Sequence, residues 1–317
     1  MSATLTPPYH TPVLGPESLA LLVTDPKGLY IDCTYGGGGH SRGLLERLAP
    51  QGRVLAFDQD PDAYANRLPD PRLTLLPVNF RFLGRELERL AAGPVTGILA
   101  DLGVSSHQFD SPERGFSFRF ESPLDMRMAQ GASLATAGER PTAAELLATY
   151  PEEALYRVFS RYGEFTGASR LARAVVAQRS RSPIETTGQL VALVEKTFAS
   201  RNNAALLAQV FQALRIEVND ELGALEELLT TAPQVLASGG RLVVLSYHSL
   251  EDRLVKNLLS SGNLRGVPET DFYGRRLNPW QALTKKPIVP SAQEVEINPR
   301  ARSAKLRAAA YQPNVTP

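Results

Sequence analysis

Acidic residues follow two apolar segments of this chain, and a run of four glycines separates them. Asp32 ends the first segment, the glycines occupy 36–39, and Asp58 ends the second segment about 20 residues after the run. Glycines permit positive φ angles and let the backbone approach a ligand closely. An acid at the tip of the second strand can accept hydrogen bonds from ribose hydroxyls. The spacing predicts a pocket for a nucleoside-bearing cofactor, with a flexible loop as the alternative.

The glycine spacing alone does not identify the cofactor. It fits the dinucleotide pattern G-x-G-x-x-G only because four glycines satisfy many spacings. Asp32 would repel a pyrophosphate, but it suits a cofactor with a cationic amino-acid end, such as S-adenosylmethionine. S-adenosylmethionine is therefore the expected cofactor, and a nicotinamide-dependent oxidoreductase is an alternative that rests on the glycines alone.

Two further apolar segments end in residues that could act on a substrate. Asp101 lies near the carboxyl end of the segment 97–102, where an acid can accept protons from an amine. His248 follows the segment 241–247 and could orient a substrate or take a proton. We predict both as catalytic residues. The structural alternative for Asp101 is a strand-end turn former or a helix cap. The alternative for His248 is that Ser249 caps the next helix and His248 only satisfies its carbonyls.

Arginines alternate with phenylalanines between 110 and 120, and a second basic stretch spans 298–307. This composition is typical of surfaces that neutralise phosphates and stack unpaired bases, each base contributing about 1 to 3 kcal/mol. The alternatives are a hinge that packs its phenylalanines and a solvated strand edge. The predicted substrate contacts are Arg114, Phe116, Phe118, Arg119, Asp125, Arg300 and Arg302.

The segments that carry these residues alternate with helical patterns, which predicts an α/β fold with a parallel, doubly wound sheet. A long helix is expected at 218–236, ending before Gly239 and Gly240. From about 134 to 209 helix follows helix, with a capping box at Thr142 and another helix start at Thr186. The predicted strands lie at 29–33, 54–57, 73–78, 97–102, 241–247, 293–297 and 303–311.

These patterns divide the chain into a catalytic domain, 1–133 with 210–317, and an inserted helical domain, 134–209, assigned to substrate recognition. An insert after the fourth strand follows the sheet edge at which open α/β sheets bind ligands.

Composition limits the classes of partner. The 317 residues carry a net charge of +1, so any binding to nucleic acid must use local patches. A single cysteine, Cys33, excludes an internal disulfide framework and is expected to be buried, and four dispersed histidines predict no metal site. No apolar run approaches about 18 residues, so we expect a soluble, cytoplasmic protein without a membrane partner. The oligomeric state is not predicted.

Several ordered motifs resemble those of the bacterial small-subunit ribosomal RNA cytosine-N(4)-methyltransferases of the MraW or RsmH type. The resemblance spans nearly the whole chain and implies a class I (Rossmann-like) S-adenosylmethionine-dependent methyltransferase with an inserted all-helical domain. It implies an enzyme that methylates the exocyclic N4 amine of a specific cytidine in the decoding region of small-subunit ribosomal RNA. The motifs lie at 10–14, 36–41, 58–61, 101–106 with Gln108, 114–119, 123–128, 218–219, 246–253 and 298–303.

The resemblance also assigns cofactor contacts. Two departures from the family pattern are the glycines at 36–37, where larger residues are common, and Tyr247, where phenylalanine is common. The expected partner is small-subunit ribosomal RNA, free or within the assembled subunit. A DNA amine methyltransferase and a noncatalytic RNA-binding or assembly factor are the alternatives. The cofactor-binding residues that the resemblance implies are Gly38, Gly39, His40, Asp58, Phe80, Asp101 and Gln108.

Overall fold

The structure is a computed structural model that describes residues 12–129, 140–199 and 204–313, without the side chains of Ser106 and His107. These residues form two compact units, a sheet unit (12–103 and 222–313) and a helical unit (104–221). The start of the motif at 10–14 and the start of the predicted insert, 134–139, lie outside the described residues.

The sheet unit contains a seven-stranded sheet in the order β3-β2-β1-β4-β5-β7-β6. The first five strands in this order are parallel, and β7 runs antiparallel to both of its neighbours. This topology confirms the predicted α/β, Rossmann-like fold. The strands are β1 (Leu29–Asp32), β2 (Arg53–Phe57), β3 (Leu73–Leu76), β4 (Val95–Asp101), β5 (Leu236–Ser246), β6 (Trp280–Ala282) and β7 (Lys305–Tyr311).

Thirteen α-helices are assigned within the described residues. They are α1 (Gly15–Leu22), α2 (Gly39–Arg47), α3 (Pro61–Ala65), α4 (Leu83–Arg89), α5 (Ser106–Asp110), α6 (Ala143–Thr149), α7 (Glu152–Gly163), α8 (Ala168–Arg179), α9 (Thr187–Phe198), α10 (Ala204–Asn219), α11 (Glu221–Val235), α12 (Ser249–Ser261) and α13 (Ala292–Ile297).

Alternate residues of the central strands enter two different cores, one on each face of the sheet. Ile31 and Ile98 belong to the core that includes residues of α4, α11 and α12. Tyr30 and Leu99 belong to the core that includes residues of α1 and α2. Side chains alternate between the faces of a strand, so a strand covered on both sides must be apolar throughout. This requirement explains why the strand segments were recognisable in the sequence.

The strand order reverses beside β1, because β2 pairs with one edge of β1 and β4 pairs with the other. Ligands of open α/β sheets bind outside the carboxyl ends of the strands at such a reversal. Asp32 and Asp101 end the two strands on either side of it. The fold therefore predicts a ligand site at the carboxyl ends of β1 and β4.

The helical unit packs its helices around a core of its own, and two of its helix starts were predicted. At the start of α6, the Thr142 hydroxyl accepts from the Glu145 N–H at 3.1 Å, and the Glu145 carboxylate accepts from the Thr142 N–H at 2.8 Å. Thr186 and Gln189 form the equivalent capping box before α9. The part of the predicted insert that the structure describes lies inside this unit, which begins earlier, at Val104.

Three local predictions differ from the structure. The segment 293–297 is part of helix α13 and not a strand, because Ser291 caps it and accepts from the Glu294 N–H at 3.1 Å. The expected helix at 218–236 is interrupted at Asp220, which has a φ of 49°. Strand β5 already begins at Leu236, so Gly239 and Gly240 lie within a strand and do not directly end a helix.

None of the described helices is both long and apolar enough to cross a membrane. Cys33 is buried, as expected, and burial raises the pKa of its thiol well above its usual range.

Candidate active site

Three carboxylates gather at the carboxyl ends of adjacent strands. Asp32 ends β1 and is level with Ala56 of β2 and Leu99 of β4. Asp58 follows the last residue of β2, and Asp101 is the last residue of β4. The site is therefore rich in negative charge, which favours a cationic ligand and disfavours a pyrophosphate.

The glycine run forms a tight turn that leads from β1 into α2. Gly36 and Gly38 have φ values of 51° and 76°, in the left-handed region that favours glycine. A Cβ atom at Gly38 would lie 2.6 Å from the hydroxyl oxygen of Tyr35. That hydroxyl is held in place, since it donates to the Asn66 carbonyl and accepts from the Leu68 N–H. Gly38 therefore cannot carry a side chain without displacing Tyr35.

Asp58 accepts hydrogen bonds from two backbone groups. Its Oδ2 accepts from the Gly36 N–H at 2.7 Å, and its Oδ1 accepts from the Asp60 N–H at 2.8 Å. Burial raises the pKa of Asp58 to about 6, although both hydrogen bonds act in the opposite direction. Each carboxylate oxygen has a further lone pair, so Asp58 can still accept from ribose hydroxyls, as the sequence predicts.

Asp32 is fully buried, so its carboxylate is not open to a ligand. It accepts from the Ser41 hydroxyl at 2.7 Å and from the Thr34 N–H at 3.1 Å. Burial raises the pKa of Asp32, and the neighbouring His40 and the two hydrogen bonds oppose that effect. Asp32 ties the start of α2 to the end of β1.

Asp101 is held on both sides by ring-bearing side chains. Its Oδ1 accepts from the Tyr247 hydroxyl at 2.7 Å, and its Oδ2 lies 3.3 Å from His40 Nε2. Its backbone N–H donates to the Thr34 hydroxyl at 2.8 Å. Burial and the Asp101 carboxylate raise the pKa of Tyr247 well above its usual range, so Tyr247 remains a neutral donor. The Asp101 carboxylate therefore has a fixed orientation.

His40 has one ring nitrogen that is left for a ligand. The side chain is buried, and its Nδ1 has no hydrogen-bond partner among the described residues. Burial lowers the pKa of His40, but the hydrogen bond and charge of Asp101, with the charge of Asp32, raise it overall above its ordinary value. A buried polar atom without a partner is costly, so Nδ1 fits a contact with a bound molecule.

His248 lies in the same turn as Tyr247, but its side chain faces the helix that follows. Its Nδ1 accepts from the Glu251 N–H at 3.4 Å, and the Glu251 carboxylate accepts from the Tyr247 N–H at 2.8 Å. His248 is therefore the cap of α12, whereas the structural alternative from the sequence gave that role to Ser249. Tyr247, which sequence reasoning did not include among the site residues, is the residue of this turn that contacts Asp101. Asp101 of β4 is paired with Leu245 of β5, so Tyr247, two residues further along the chain, can reach the Asp101 carboxylate.

Phe80, the predicted adenine neighbour, is half-buried in a 3₁₀ turn after β3. The Asn79 side chain begins that turn by accepting from the Arg81 N–H at 2.9 Å. Gln108 lies in the helical unit, where its side-chain oxygen accepts from the Ser105 N–H at 3.0 Å. The contact of Phe80 with the adenine and the contact of Gln108 with the cofactor stay predictions.

Arg114 is buried within the helical unit. Its guanidinium donates to the carbonyls of Arg127 and Met128 at 3.2 and 2.9 Å. Asn219 holds the same segment, because it donates to the Met126 carbonyl at 2.7 Å and accepts from the Met128 N–H at 2.8 Å. Sequence reasoning missed this role of Asn219. Arg114 therefore stabilises the segment 126–128, and its contact with RNA stays a prediction.

The aromatic residues of the same stretch are largely packed. Phe116 is buried in the core of the helical unit, and the Phe118 ring meets the Phe211 ring edge-to-face at 5.5 Å. Asp125 pairs with Arg127 at 2.8 Å. The structure therefore gives Phe116 and Phe118 the packing role that was the alternative to base stacking.

Three of the predicted substrate contacts are exposed arginines. Arg119 is exposed in the helical unit. Arg300 and Arg302 are exposed in the sheet unit, on a 3₁₀ turn (Pro299–Ser303) that Asn298 caps by accepting from the Arg300 N–H at 3.2 Å. Of the four arginines predicted to contact the substrate, these three are exposed to solvent and Arg114 is buried.

Comparisons with known proteins identify the family. The model of the MraW methylase family matches residues 8–312. The chain belongs to the MraW methylase family. Its resemblance to the MraW or RsmH type is thereby confirmed, and so is the predicted dependence on S-adenosylmethionine.

The relatives of this MraW-family chain include two proteins named ribosomal RNA small subunit methyltransferase H. The one from Bacteroides thetaiotaomicron is 49% identical over 301 residues, which are 95% of this chain and 97% of the relative. The one from Parabacteroides distasonis is 50% identical over 302 residues, again 95% and 97%. A methyltransferase from Streptococcus mutans solved in complex with SAH has a TM-score of 0.40 and 14% identity, over 94% of this chain and 96% of that one.

Proposed function

We propose that this methylase transfers a methyl group from S-adenosylmethionine to the exocyclic N4 amine of a specific cytidine in the decoding region of small-subunit ribosomal RNA. The observation that carries the proposal is the Asp101 carboxylate, fixed by Tyr247 and His40 at the end of β4. The names of the relatives support ribosomal RNA as the substrate. The motifs shared with the cytosine-N(4) family support the amine.

The chain offers a matching set of groups for the cofactor. Asp58 would accept from the ribose hydroxyls, and Phe80 would lie beside the adenine. The turn at Gly38 and Gly39 would pass close to the cofactor, with the free Nδ1 of His40 directed to a polar atom. Gln108 is proposed as a further contact. When bound, S-adenosylmethionine supplies an electrophilic methyl group on a sulfonium cation, and the surrounding carboxylates favour that positive charge.

The amine of cytosine is a poor nucleophile, because its lone pair is delocalised into the ring. The protein must therefore align the amine with the methyl group and accept its protons as the new bond forms. Alignment alone can provide much of the rate. An acceptor whose orientation is already fixed, such as Asp101, stabilises the developing positive charge without further reorganisation. We assign Asp101 as this acceptor.

The substrate cytidine is expected to be extruded from its helix, because base pairing hides the amine and RNA-binding proteins commonly engage splayed-out bases. Arg119, Arg300 and Arg302 are proposed to contact phosphates, since their side chains are exposed. Arg114, Phe116, Phe118 and Asp125 are proposed to shape the segment that presents Arg119. His248 is proposed to assist base orientation from its place at the start of α12.

Methyl-transfer assays test the proposal. Labelled S-adenosylmethionine is supplied with unmodified small ribosomal subunits, naked small-subunit ribosomal RNA or DNA, and the product nucleosides are separated by mass spectrometry. The expected product is N4-methylcytidine at one site of the ribosomal RNA. Methylation of DNA alone would favour a DNA amine methyltransferase. No S-adenosylmethionine binding by calorimetry would favour the noncatalytic factor.

A further inference from the structure

A hairpin in the sheet unit carries two aromatic side chains in solvent. It spans residues 269–277 and is closed by a bridge between Thr270 and Arg276. Phe272 is 97% exposed and Tyr273 is 76% exposed. Aromatic side chains of this size usually bury about 150–250 Å² each, so two neighbouring exposed rings call for an explanation.

The turn that presents the two rings is well organised. The Asp271 carboxylate accepts from the N–H groups of Tyr273 and Arg275, each at 2.9 Å. The Asp271 N–H donates to the Arg275 carbonyl at 2.9 Å, and Gly274 supplies the positive φ of 79° that closes the turn. The exposure of the rings is therefore fixed by the backbone of the turn.

The rings and the neighbouring cation form a compact group. Phe272 and Tyr273 meet edge-to-face with centroids 5.6 Å apart, and the Arg275 guanidinium lies 5.3 Å from the Tyr273 centroid. An edge-to-face contact leaves ring faces open for another flat group. The group can therefore stack on a planar partner without rearranging.

The charges of the hairpin favour an anionic partner. Glu269 is paired with Arg265 at 2.6 Å, and the Asp271 carboxylate is engaged in the turn. Arg275 and Arg276 are both exposed. Open aromatic faces beside exposed arginines match a partner that offers flat bases joined by phosphates, which describes single-stranded RNA.

We propose that the hairpin 269–277 binds a single-stranded segment of RNA. Phe272 and Tyr273 stack on unpaired bases, and Arg275 and Arg276 contact the phosphates beside them. The inference rests on the proposed function, to which it adds a contact surface for the RNA substrate outside the residues predicted from the sequence.

Fluorescence anisotropy of the full chain with a labelled 12-nucleotide single-stranded RNA, and with an RNA duplex of equal length, tests the stacking. The double variant F272A/Y273A is expected to lose about 30-fold or more in affinity for the single strand, because two stacked bases are lost. F272W/Y273F is expected to retain it, because both rings persist. V289A removes an apolar side chain that is 58% exposed in the same unit and serves as the matched control.

The charge contribution is tested by titrating salt. R275Q/R276Q is expected to reduce the slope of log affinity against log salt by about 1.4, since each phosphate contact on a single strand contributes about 0.7. R47Q/R53Q removes the same charge from exposed positions of the sheet unit and is expected to leave the slope unchanged. Thermal unfolding of each variant identifies loss of fold as a separate cause.

Methyl transfer by the wild-type chain separates this inference from the proposed function. A wild type that binds the single strand through the hairpin but methylates no ribosomal RNA would contradict the proposed function and leave the hairpin as an RNA contact. Folded F272A/Y273A that binds RNA as the wild type does would overturn the inference. Binding of the hairpin to anionic phosphatidylglycerol vesicles, with no effect of the variants on RNA, would overturn it in favour of a membrane.

Discussion

The Tyr247 hydroxyl donates to the Asp101 carboxylate across 2.7 Å, so the turn after β5 orients the acid at the end of β4. The two strands are neighbours, and Asp101 is level with Leu245, two residues before the tyrosine. His40 approaches the other carboxylate oxygen from the start of α2. The proposed proton acceptor is thus positioned by two separate elements of the sheet unit.

Replacing Asp101 with alanine should reduce the single-turnover rate of methyl transfer by about 10²-fold or more, because a preorganised group facing the developing charge is lost. Rapid quench with saturating S-adenosylmethionine measures this rate, and calorimetry measures cofactor affinity in parallel. An alanine variant with wild-type cofactor affinity and an unchanged rate would remove Asp101 from the chemistry.

Tyr247→Phe should lower the single-turnover rate by only about 5-fold, since one hydrogen bond worth about 1 kcal/mol no longer orients Asp101. The ring and its packing remain, so the fold should be unaffected. The comparison needs the rate, the cofactor affinity and the unfolding midpoint. A loss as large as that of Asp101→Ala would mean that the tyrosine acts directly on the substrate.

Gly38→Ala should lower the free energy of unfolding by about 1 to 3 kcal/mol and weaken cofactor binding, because the residue has a left-handed φ and its Cβ would meet the Tyr35 hydroxyl. Chemical denaturation and calorimetry measure the two effects. Gly93→Ala is the matched control, since a Cβ there meets nothing within 4 Å. Equal stability of the two variants would contradict the strain assigned to Gly38.

Cofactor affinity should depend on pH through Asp58. Its pKa is raised to about 6, so the free protein loses the carboxylate as the pH falls through 6, and with it the acceptor for ribose hydroxyls. Affinity should therefore fall below pH 6 by up to about tenfold per unit. Subtracting the profile of Asp58→Asn isolates this residue from the nearby His40. Parallel profiles for the two proteins would exclude Asp58 as the titrating group.

The raised pKa of Asp58 makes stability depend on pH in the direction opposite to cofactor affinity. The folded protein binds the Asp58 proton more tightly than the unfolded chain does, so the contribution of this residue to stability improves as the pH falls from 6 towards 4. Denaturation of the wild type and of Asp58→Asn at pH 8 and pH 5 measures the difference. The stability of the asparagine variant relative to the wild type should be higher at pH 8 than at pH 5.

Arg114 and Arg119 should differ although they lie close together in sequence. Arg114→Ala should lower the free energy of unfolding of the helical unit by about 2 to 4 kcal/mol, because the carbonyls of Arg127 and Met128 lose their charged donor. Arg119→Gln should leave stability unchanged and weaken RNA binding, because its side chain is exposed. Normal stability of Arg114→Ala would contradict the structural role.

The sequence predicted the parts of the fold and site that depend on local pattern. Strands buried on both faces are continuous apolar runs, and the acids at their ends, such as Asp58 and Asp101, follow from the runs themselves. The start of α6 at Thr142 was predictable because a capping box is a local signal.

Features that depend on distant partners were not predictable. Strand β6 has three residues and exists because it pairs with β7. Arg114 reads as a free cation in the sequence, but the carbonyls that it binds lie 13 and 14 residues away. The segment 293–297 was predicted as a strand, but the capping signal of Ser291 and Glu294 makes it part of a helix.

The hydrogen bond from the Gly36 N–H to Asp58 joins the glycine turn to the proposed ribose acceptor. A lineage that exchanges Asp58 for an apolar residue would lose the acceptor and release the turn in the same mutational step. A substitution of Asp58 that allowed a different cofactor would therefore also remove the hydrogen bond that orders the glycine turn. The glycine turn and Asp58 are therefore expected to be conserved together during evolution, and not to change independently.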